Sequence, residues 1–515
     1  MAIRAGERHM CSGTGQGIRR ATLAAILLAS GLGVAVGGRE TPAGRDEPLR
    51  PQFHFTPPRN FMNDPNGLVF YKGEYHLFYQ HNPLGDRWGH MSWGHAVSRD
   101  LVHWEDLPVA LREEDGIMIF SGSAVVDTHN SSGLCTPDGE DRSCLVAIYT
   151  GHTDTRQHQN LAYSNDRGRT WTKYAGNPVV DLGLKDFRDP KVFWHEPTHR
   201  WVMVTVLPDQ HKVRFFASRD LKAWEALSDF GPAGATGGVW ECPDLFPLPV
   251  DGEAGNTRWV LDVDLNPGGL RGGSGGQYFV GQFDGTRFVN DNPPDVTLWT
   301  DYGKDFYATM SYEGIPTADG RRIWIGWMSN WLYANDEPTS PWRGVLSVPR
   351  TLTLTRLPEG LRLVQQPVRE LDALRGPAAP VTGSRPLPPS AEIRLDAARG
   401  SWREMGLRLS SAAGEEVLIG ITANPLEVFV DRTRSRSTPF HAAYPGRHAA
   451  PARWRGGRVG LRVLFDRTTV EVFVNDGEAV VSKRVYPTQP LTQLQTFGDG
   501  IAQAIRVSEI VSAWK

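Results

Sequence analysis

Five short runs of one kind recur along this chain: Glu74-Tyr-His-Leu-Phe-Tyr, Cys144-Leu-Val-Ala-Ile-Tyr, Arg200-Trp-Val-Met-Val-Thr, Arg258-Trp-Val-Leu-Asp-Val and Arg322-Ile-Trp-Ile-Gly-Trp. Each is rich in β-branched and aromatic residues and bounded by Gly, Pro, Asn or Asp, so each reads as a strand. Helical periodicity is almost absent from the same region. The runs start 70, 56, 58 and 64 residues apart, leaving room for about four strands and their loops per unit. A second element follows three of them: Ser98-Arg-Asp-Leu-Val-His-Trp, Ser164-Asn-Asp-Arg-Gly-Arg-Thr-Trp and Ser218-Arg-Asp-Leu-Lys-Ala-Trp, each a polar turn leading to a Trp. The pattern predicts an all-β chain whose residues 50–356 form a five-bladed β-propeller. The alternative is a large irregular sandwich in which the spacing is accidental.

The pattern changes after Arg356. Residues 371–391 are rich in Pro, Gly, Ala and Ser, and 357–390 read as a linker, with an irregular first edge of the next domain as the alternative. Beyond them lie alternating strands such as Glu427-Val-Phe-Val-Asp and Val470-Glu-Val-Phe-Val, the latter followed by an Asn475-Asp-Gly turn signal. Residues 391–515 therefore read as a C-terminal β-sandwich.

At 515 residues two cores are expected, and a formal net charge of -3 with 22% charged residues gives no basic excess to hold phosphate backbones. Nucleic acid is excluded as a partner on that ground, and the one basic cluster, Arg432 to Arg436, reads as a solvated loop. Arg4, Arg8, Arg19 and Arg20 precede the small, apolar run Ala21 to Val36, so residues 1–40 read as an export signal, too short and glycine-rich to span a membrane. Cleavage is expected between Ala35 and Ala43; a buried amphipathic helix is the alternative. The mature protein is then secreted or held in the cell envelope or periplasm, with no membrane contact of its own. Of four cysteines, Cys11 falls in the signal and Cys242 in a candidate site motif. Cys135 and Cys144 close a polar loop that suits either a local disulfide or two free thiols. No Cys/His spacing resembles a zinc site; His90 and His95 flank a strand signal and are expected to pack or hydrogen-bond locally.

Three acids stand in short motifs from separate stretches: Asn63-Asp64-Pro65-Asn66-Gly67, Arg188-Asp189-Pro190 and Glu241-Cys242-Pro243-Asp244. Cleaving a glycosidic bond takes one carboxylic acid to protonate the leaving oxygen and one carboxylate to attack the anomeric carbon or activate water. Asp64-Pro65-Asn66-Gly67 alone has the composition of a turn, here between an aromatic approach and an aliphatic strand. Arg188 beside Asp189 is either a surface ion pair or a donor and acceptor matched to vicinal hydroxyls. Glu241, flanked by Trp240, Cys242 and Pro243, sits among apolar neighbours that disfavour its charge, as suits a general acid.

Taken with Phe120-Ser-Gly-Ser, Phe187-Arg-Asp-Pro-Lys, Trp240-Glu-Cys-Pro-Asp-Leu-Phe and Asp305-Phe-Tyr-Ala, these motifs resemble glycoside hydrolase family 32, the β-fructosidases, over roughly residues 53–515. The resemblance implies a five-bladed propeller followed by a β-sandwich. It implies Asp64 as nucleophile, Glu241 as general acid/base and Asp189 as transition-state stabiliser. It further implies a fructosyl pocket lined by Asn63, Gln80, Trp88, Phe120, Ser121 and Arg188, with Trp331 as an addition. Many members carry Trp where this chain has Phe61. Trp88 to Ser98 and Trp327 to Pro341 are most similar to bacterial exo-acting levanases and exo-inulinases. Those stretches imply release of fructose from β-2,6 or β-2,1 fructans, and from sucrose. A sucrose specialist, a fructosyltransferase and a non-catalytic fructan-binding protein are the alternatives. No metal or organic cofactor is implied, and the oligomeric state is not legible.

Overall fold

In a computed structural model of the chain, residues 45–500 and 504–514 are described. The export signal expected in residues 1–40 lies outside them. The described residues hold strands and only four short 3-10 turns, as the all-β expectation requires.

Five sheets, antiparallel but for one short parallel pairing in the first, follow one another along the chain. Their first long strands are Asn60–Tyr71, Met118–Asp127, Arg188–His195, Val239–Pro249 and Tyr307–Ser311. Each of the five repeated runs is the second strand of its sheet, paired antiparallel with the first. The five first strands also touch one another in chain order, and the fifth touches the first, so the sheets stand in a closed ring. The ring is tied by late residues returning to the first sheet: Asn60 pairs with Trp342 in parallel, and Val69 bridges to Glu313. The recurring Ser-x-Asp element is a turn in which Asp100, Asp166 and Asp220 each accept from the serine two residues back and from backbone N–H groups ahead. The following Trp171 and Trp224 donate their indole N–H to that turn's backbone. A polar turn with its own acceptors is thus fixed beneath an aromatic ring.

The fifth sheet runs past the expected boundary at residue 356. Gly360–Pro367, assigned to the linker from sequence, pairs along its whole length with Arg350–Leu357. Pro358-Glu-Gly360 turns the hairpin between them, Leu357 facing Gly360. The remainder of the stretch holds a 3-10 turn, Arg369–Leu374, and two short edge strands, Ala379–Pro380 and Ser384–Pro386.

From Ala379 onward two six-stranded sheets share one apolar core, to which Ile393, Leu395, Val463 and Val472 come from one sheet and Leu407, Ile419 and Val430 from the other. Where this pair meets the ring the contacts are charged and buried. Arg350 holds Glu471 through Nε at 3.0 Å and Nη2 at 2.5 Å, while His54 bridges Asp466 and Glu471 at 2.9 and 2.8 Å. Burial alone would raise Glu471, but Arg350 and His54 outweigh it and hold the carboxyl at about 2. Asp305 accepts from Arg432 Nη1 at 2.5 Å, from the Arg484 N–H at 2.8 Å and from the Tyr333 hydroxyl. Arg432 is therefore no solvated loop residue, as its basic neighbourhood suggests, but is 0% exposed at this junction. A guanidinium this deep persists because each of its nitrogens meets an acceptor.

Cys135 and Cys144 are disulfide-bonded. His95 is buried, stacked on Phe78 and hydrogen-bonded to His76, and His90 pairs with Glu113; both make the local contacts expected of them.

Candidate active site

All five first strands break register where they line the ring. The shifts fall between Met62 and Pro65 and between Asn66 and Val69 in the first strand, and between Ile119 and Gly122 in the second. In the third the shift lies opposite Val204 and Val206, between Lys191 and Arg188. In the fourth and fifth it lies between Glu241 and Asp244 and between Tyr307 and Met310. A β-bulge bends its strand and re-aims one side chain. Here bulges in all five first strands turn polar side chains of five sheets toward one cavity. Asp64-Pro65-Asn66-Gly67 is accordingly not a turn but the interior of a bulged twelve-residue strand. Gly67 takes φ +55°, where a Cβ would lie 2.6 Å from the Phe78 ring. Asp189, Cys242 and Ala308 also take positive φ, at 63°, 46° and 54°. Such backbone costs on the order of 1–3 kcal/mol per residue and tends to persist where a site requires it.

The cavity, of about 350 Å³, is lined by Asn63, Asp64, Gln80, Trp88, Phe120, Ser121, Arg188, Asp189, Glu241 and Trp331. Those are all ten residues named from sequence. Asn266, Tyr307 and Asn335 complete the lining. Tyr307 stands inside the Asp305-Phe-Tyr-Ala motif and Asn335 inside the Trp327 to Pro341 stretch, so both were signalled without being singled out. Asn266, at the end of a strand, carries no signal in the sequence.

Asp64, 9% exposed, accepts from Asn63 Nδ2 at 2.9 Å through Oδ1 and from Ser121 Oγ at 2.7 Å through Oδ2. The Cys242 thiol lies 3.7 Å from the same Oδ2. Burial pushes Asp64 up to about 6; the Ser121 and Asn63 hydrogen bonds oppose the rise, and the charge of Glu241 adds to it. Asp189, 6% exposed, is pushed up to about 7, again chiefly by burial, with Arg188 and the Cys242 N–H opposing and Glu241 and Asp64 adding. Its Oδ2 accepts from the Cys242 N–H at 2.9 Å.

The Glu241 carboxylate does not meet the apolar surroundings its sequence neighbours suggest. Oε1 accepts from Arg188 Nη2 at 3.0 Å and Nε at 3.2 Å, and Oε2 accepts from the Tyr307 hydroxyl. Trp240 points to the opposite face, buried in the core between the third and fourth sheets, as alternate residues of a strand must. Arg188 is held up despite its burial by Glu241, Asp189 and Asp186.

The segment Phe187 to Asp189 is clamped by the second sheet. The Phe187 N–H donates to Gln157 Oε1 at 2.9 Å, the Phe187 carbonyl accepts from Gln159 Nε2 at 2.8 Å, and the Asp189 N–H donates to Thr150 Oγ1 at 2.9 Å. Asp186 and Gln157 hold Arg188 Nη1 at 3.0 and 3.3 Å. On the cavity's apolar side Trp88, 41% exposed, stands edge-on to Phe120, and Trp331 is backed by the fully buried Phe61 and by Trp327. The Trp88 N–H donates to Asn335 Oδ1 at 2.8 Å, tying the first sheet's loop to the fifth sheet's.

Two buried carboxylates and a third that is partly exposed, a guanidinium donating through two nitrogens and an aromatic rim suit a polyhydroxylated ligand: acceptors and donors for hydroxyl pairs, rings for the carbon face, and acids for proton transfer. Among the described residues no group of His, Cys, Asp and Glu is arranged to hold a metal ion.

Comparison with known proteins agrees with this chemistry. The profile of the glycosyl hydrolases family 32 N-terminal domain matches residues 54–367, and that of the family 32 C-terminal domain matches residues 371–515. A levanase of Bacillus subtilis is 49% identical over 468 residues, which cover 88% of this chain and 68% of the levanase. An extracellular exo-inulinase of Aspergillus ficuum is 40% identical over 521 residues, covering 91% of this chain and 96% of that protein. The crystal structure of exo-inulinase from Aspergillus awamori superposes with a TM-score of 0.86 at 37% identity, covering 92% of this chain and all of that one.

Proposed function

The chain belongs to glycosyl hydrolase family 32, and on that premise we propose that it is a secreted, retaining exo-β-fructosidase. It removes terminal β-D-fructofuranosyl units from levan or inulin, and cleaves sucrose as well. The closed ring of five sheets supports reading residues 50–367 as a five-bladed propeller with its channel mouth as the active site, and the paired six-stranded sheets as a β-sandwich that braces it. The charged contacts at the junction support bracing rather than polymer capture as the sandwich's role.

The observation that carries the reading is the convergence of Asp64, Asp189 and Glu241 on one cavity that the hydroxyl-matched Arg188 and an aromatic rim also line. Asp64 attacks the anomeric carbon of the terminal fructosyl unit. Ser121 and Asn63 hold both of its oxygens, which fixes the direction of attack. Glu241 gives its proton to the departing oxygen and takes one from the incoming water, with Arg188 and Tyr307 fixing its position in both steps. Asp189 accepts hydrogen bonds from hydroxyls of the fructosyl ring, and these strengthen as charge develops there. Burial raises Asp64 and Asp189, and the site reaches its working state once both are ionised.

A time course of products from levan, inulin and sucrose tests the reading. Free fructose as the first product from both polymers is expected; oligosaccharides preceding fructose would replace exo- with endo-attack. Turnover of sucrose alone would make the protein a sucrose specialist, and transfer products at low substrate would make it a fructosyltransferase.

A further inference from the structure

We propose that His152 is a positioning residue for this reaction: uncharged, with its proton on Nε2, it fixes Gln157 and through it Arg188, while its ring backs Phe120. The inference rests on the reading of the cavity as a fructosyl site. His152 does not line that cavity. It sits half-buried on the strand Cys144–Thr153, directly across the hairpin from Gln157.

The argument is one of donors and acceptors. Gln157 Oε1 receives the Phe187 N–H at 2.9 Å and Arg188 Nη1 at 3.3 Å. A backbone N–H and a guanidinium can only donate, so the amide orientation of Gln157 is dictated by two partners that cannot reverse. Its NH2 therefore faces His152 Nδ1, 3.1 Å away. That nitrogen must offer a lone pair, which makes His152 the neutral Nε2–H tautomer. Protonation would set N–H against N–H. Turning the amide over to relieve this would set its NH2 against Phe187 and Arg188 instead. Either way one link to the residue that grips Glu241 is lost. The same imidazole lies flat on Phe120, with ring centroids 4.1 Å apart and planes 7° apart, so the cavity's wall and its guanidinium share one support.

The charges facing His152 come from its own turn and from the third sheet's approach. Burial, Arg188 and Lys185 oppose protonation and Asp154 and Asp186 favour it, with a net downward shift. His152 therefore takes up its proton at lower pH than an ordinary imidazole, and that protonation cuts activity on the acid side.

Two variants separate the functions of the ring. His152→Phe keeps the stack on Phe120 and removes the acceptor; His152→Asn puts Oδ1 near the place of Nδ1 and cannot ionise. On sucrose or inulin, His152→Phe should lose roughly three- to tenfold in kcat/KM at neutral pH, the worth of one hydrogen bond. His152→Asn should recover most of that loss, and its acid limb should lack one ionisation present in the native profile. Nitrogen-15 NMR of the histidine-labelled native protein reads the tautomer directly and needs no variant to fold. An Nε2–H imidazole that titrates below the ordinary histidine value is expected. An Nδ1–H tautomer, an imidazolium at neutral pH, or His152→Phe matching the native protein at every pH would overturn the proposal. If the native protein releases no fructose from any of these substrates, the fructosidase reading fails, whereas the tautomer assignment is still decided by the spectrum.

Discussion

Replacing Asp189 with asparagine should stabilise the folded protein at neutral pH while it disables the site. In the unfolded chain this carboxyl ionises near its ordinary value of 3.8; in the folded protein it is pushed up to about 7. The folded state therefore holds the proton more tightly, and its stability falls as pH rises from about 4 toward 7, the reverse of an aspartate in a favourable ion pair. Three pH units correspond to roughly 4 kcal/mol at pH 7 and to less than about 1 kcal/mol at pH 4. The amide oxygen of the Asp189→Asn side chain would still accept the Cys242 N–H, which lies 2.9 Å from the native carboxylate, but Arg188 would lose one of its three acidic neighbours. The net gain should be about 2–3 kcal/mol at neutral pH, which for a chain of this size raises Tm by roughly 2–3 °C. Calorimetry of native and Asp189→Asn proteins at pH 4, 5.5 and 7 is the assay, with kcat on sucrose measured alongside. The gap should open with pH, and kcat should drop by on the order of 10² to 10³. A variant no more stable than the native protein at pH 7, or a gap that does not change with pH, would refute the claim that burial of ionised acids is the dominant cost of this site.

Glu241→Gln should cost on the order of 10² to 10⁴ in kcat on sucrose or fructan, and much less on a fructosyl donor whose leaving group needs no proton; equal losses on both would remove Glu241 from the acid role. Arg350→Met should destabilise the protein by roughly 3–5 kcal/mol, because Glu471 would stay buried with one partner gone. Its Tm, measured against that of an exposed Arg→Met control, checks this, and a shift no larger than the control's would count against the junction as a stabilising contact.

The strands and acids were legible because their signals are local. A run such as Arg322-Ile-Trp-Ile-Gly-Trp carries its strand preference within six residues, and all five such runs are second strands of their sheets. The bulges were not legible. Asp64-Pro65-Asn66-Gly67 has turn composition, and only pairing with Glu74–Asn82 keeps it extended and re-aims its carboxylate. The setting of Glu241 was misjudged for a related reason. Its chain neighbours are apolar, but Trp240 points to the other face, and the groups that touch its carboxylate come from two other sheets. Arg432 likewise looks solvated beside Arg434 and Arg436 until Asp305, far away in sequence, is brought against it. In each case the missing information was a partner distant along the chain, which no window of residues contains.

The central claim is that Asp64 becomes covalently joined to fructose. In Glu241→Gln the first step proceeds with a fructosyl donor whose leaving group needs no proton, while the second lacks its base, so the intermediate should accumulate. Mass spectrometry of the rapidly quenched, digested variant should find one added fructosyl group on the peptide containing Asp64. The absence of any adduct while leaving group is still released, or an adduct on a peptide without Asp64, would contradict the account.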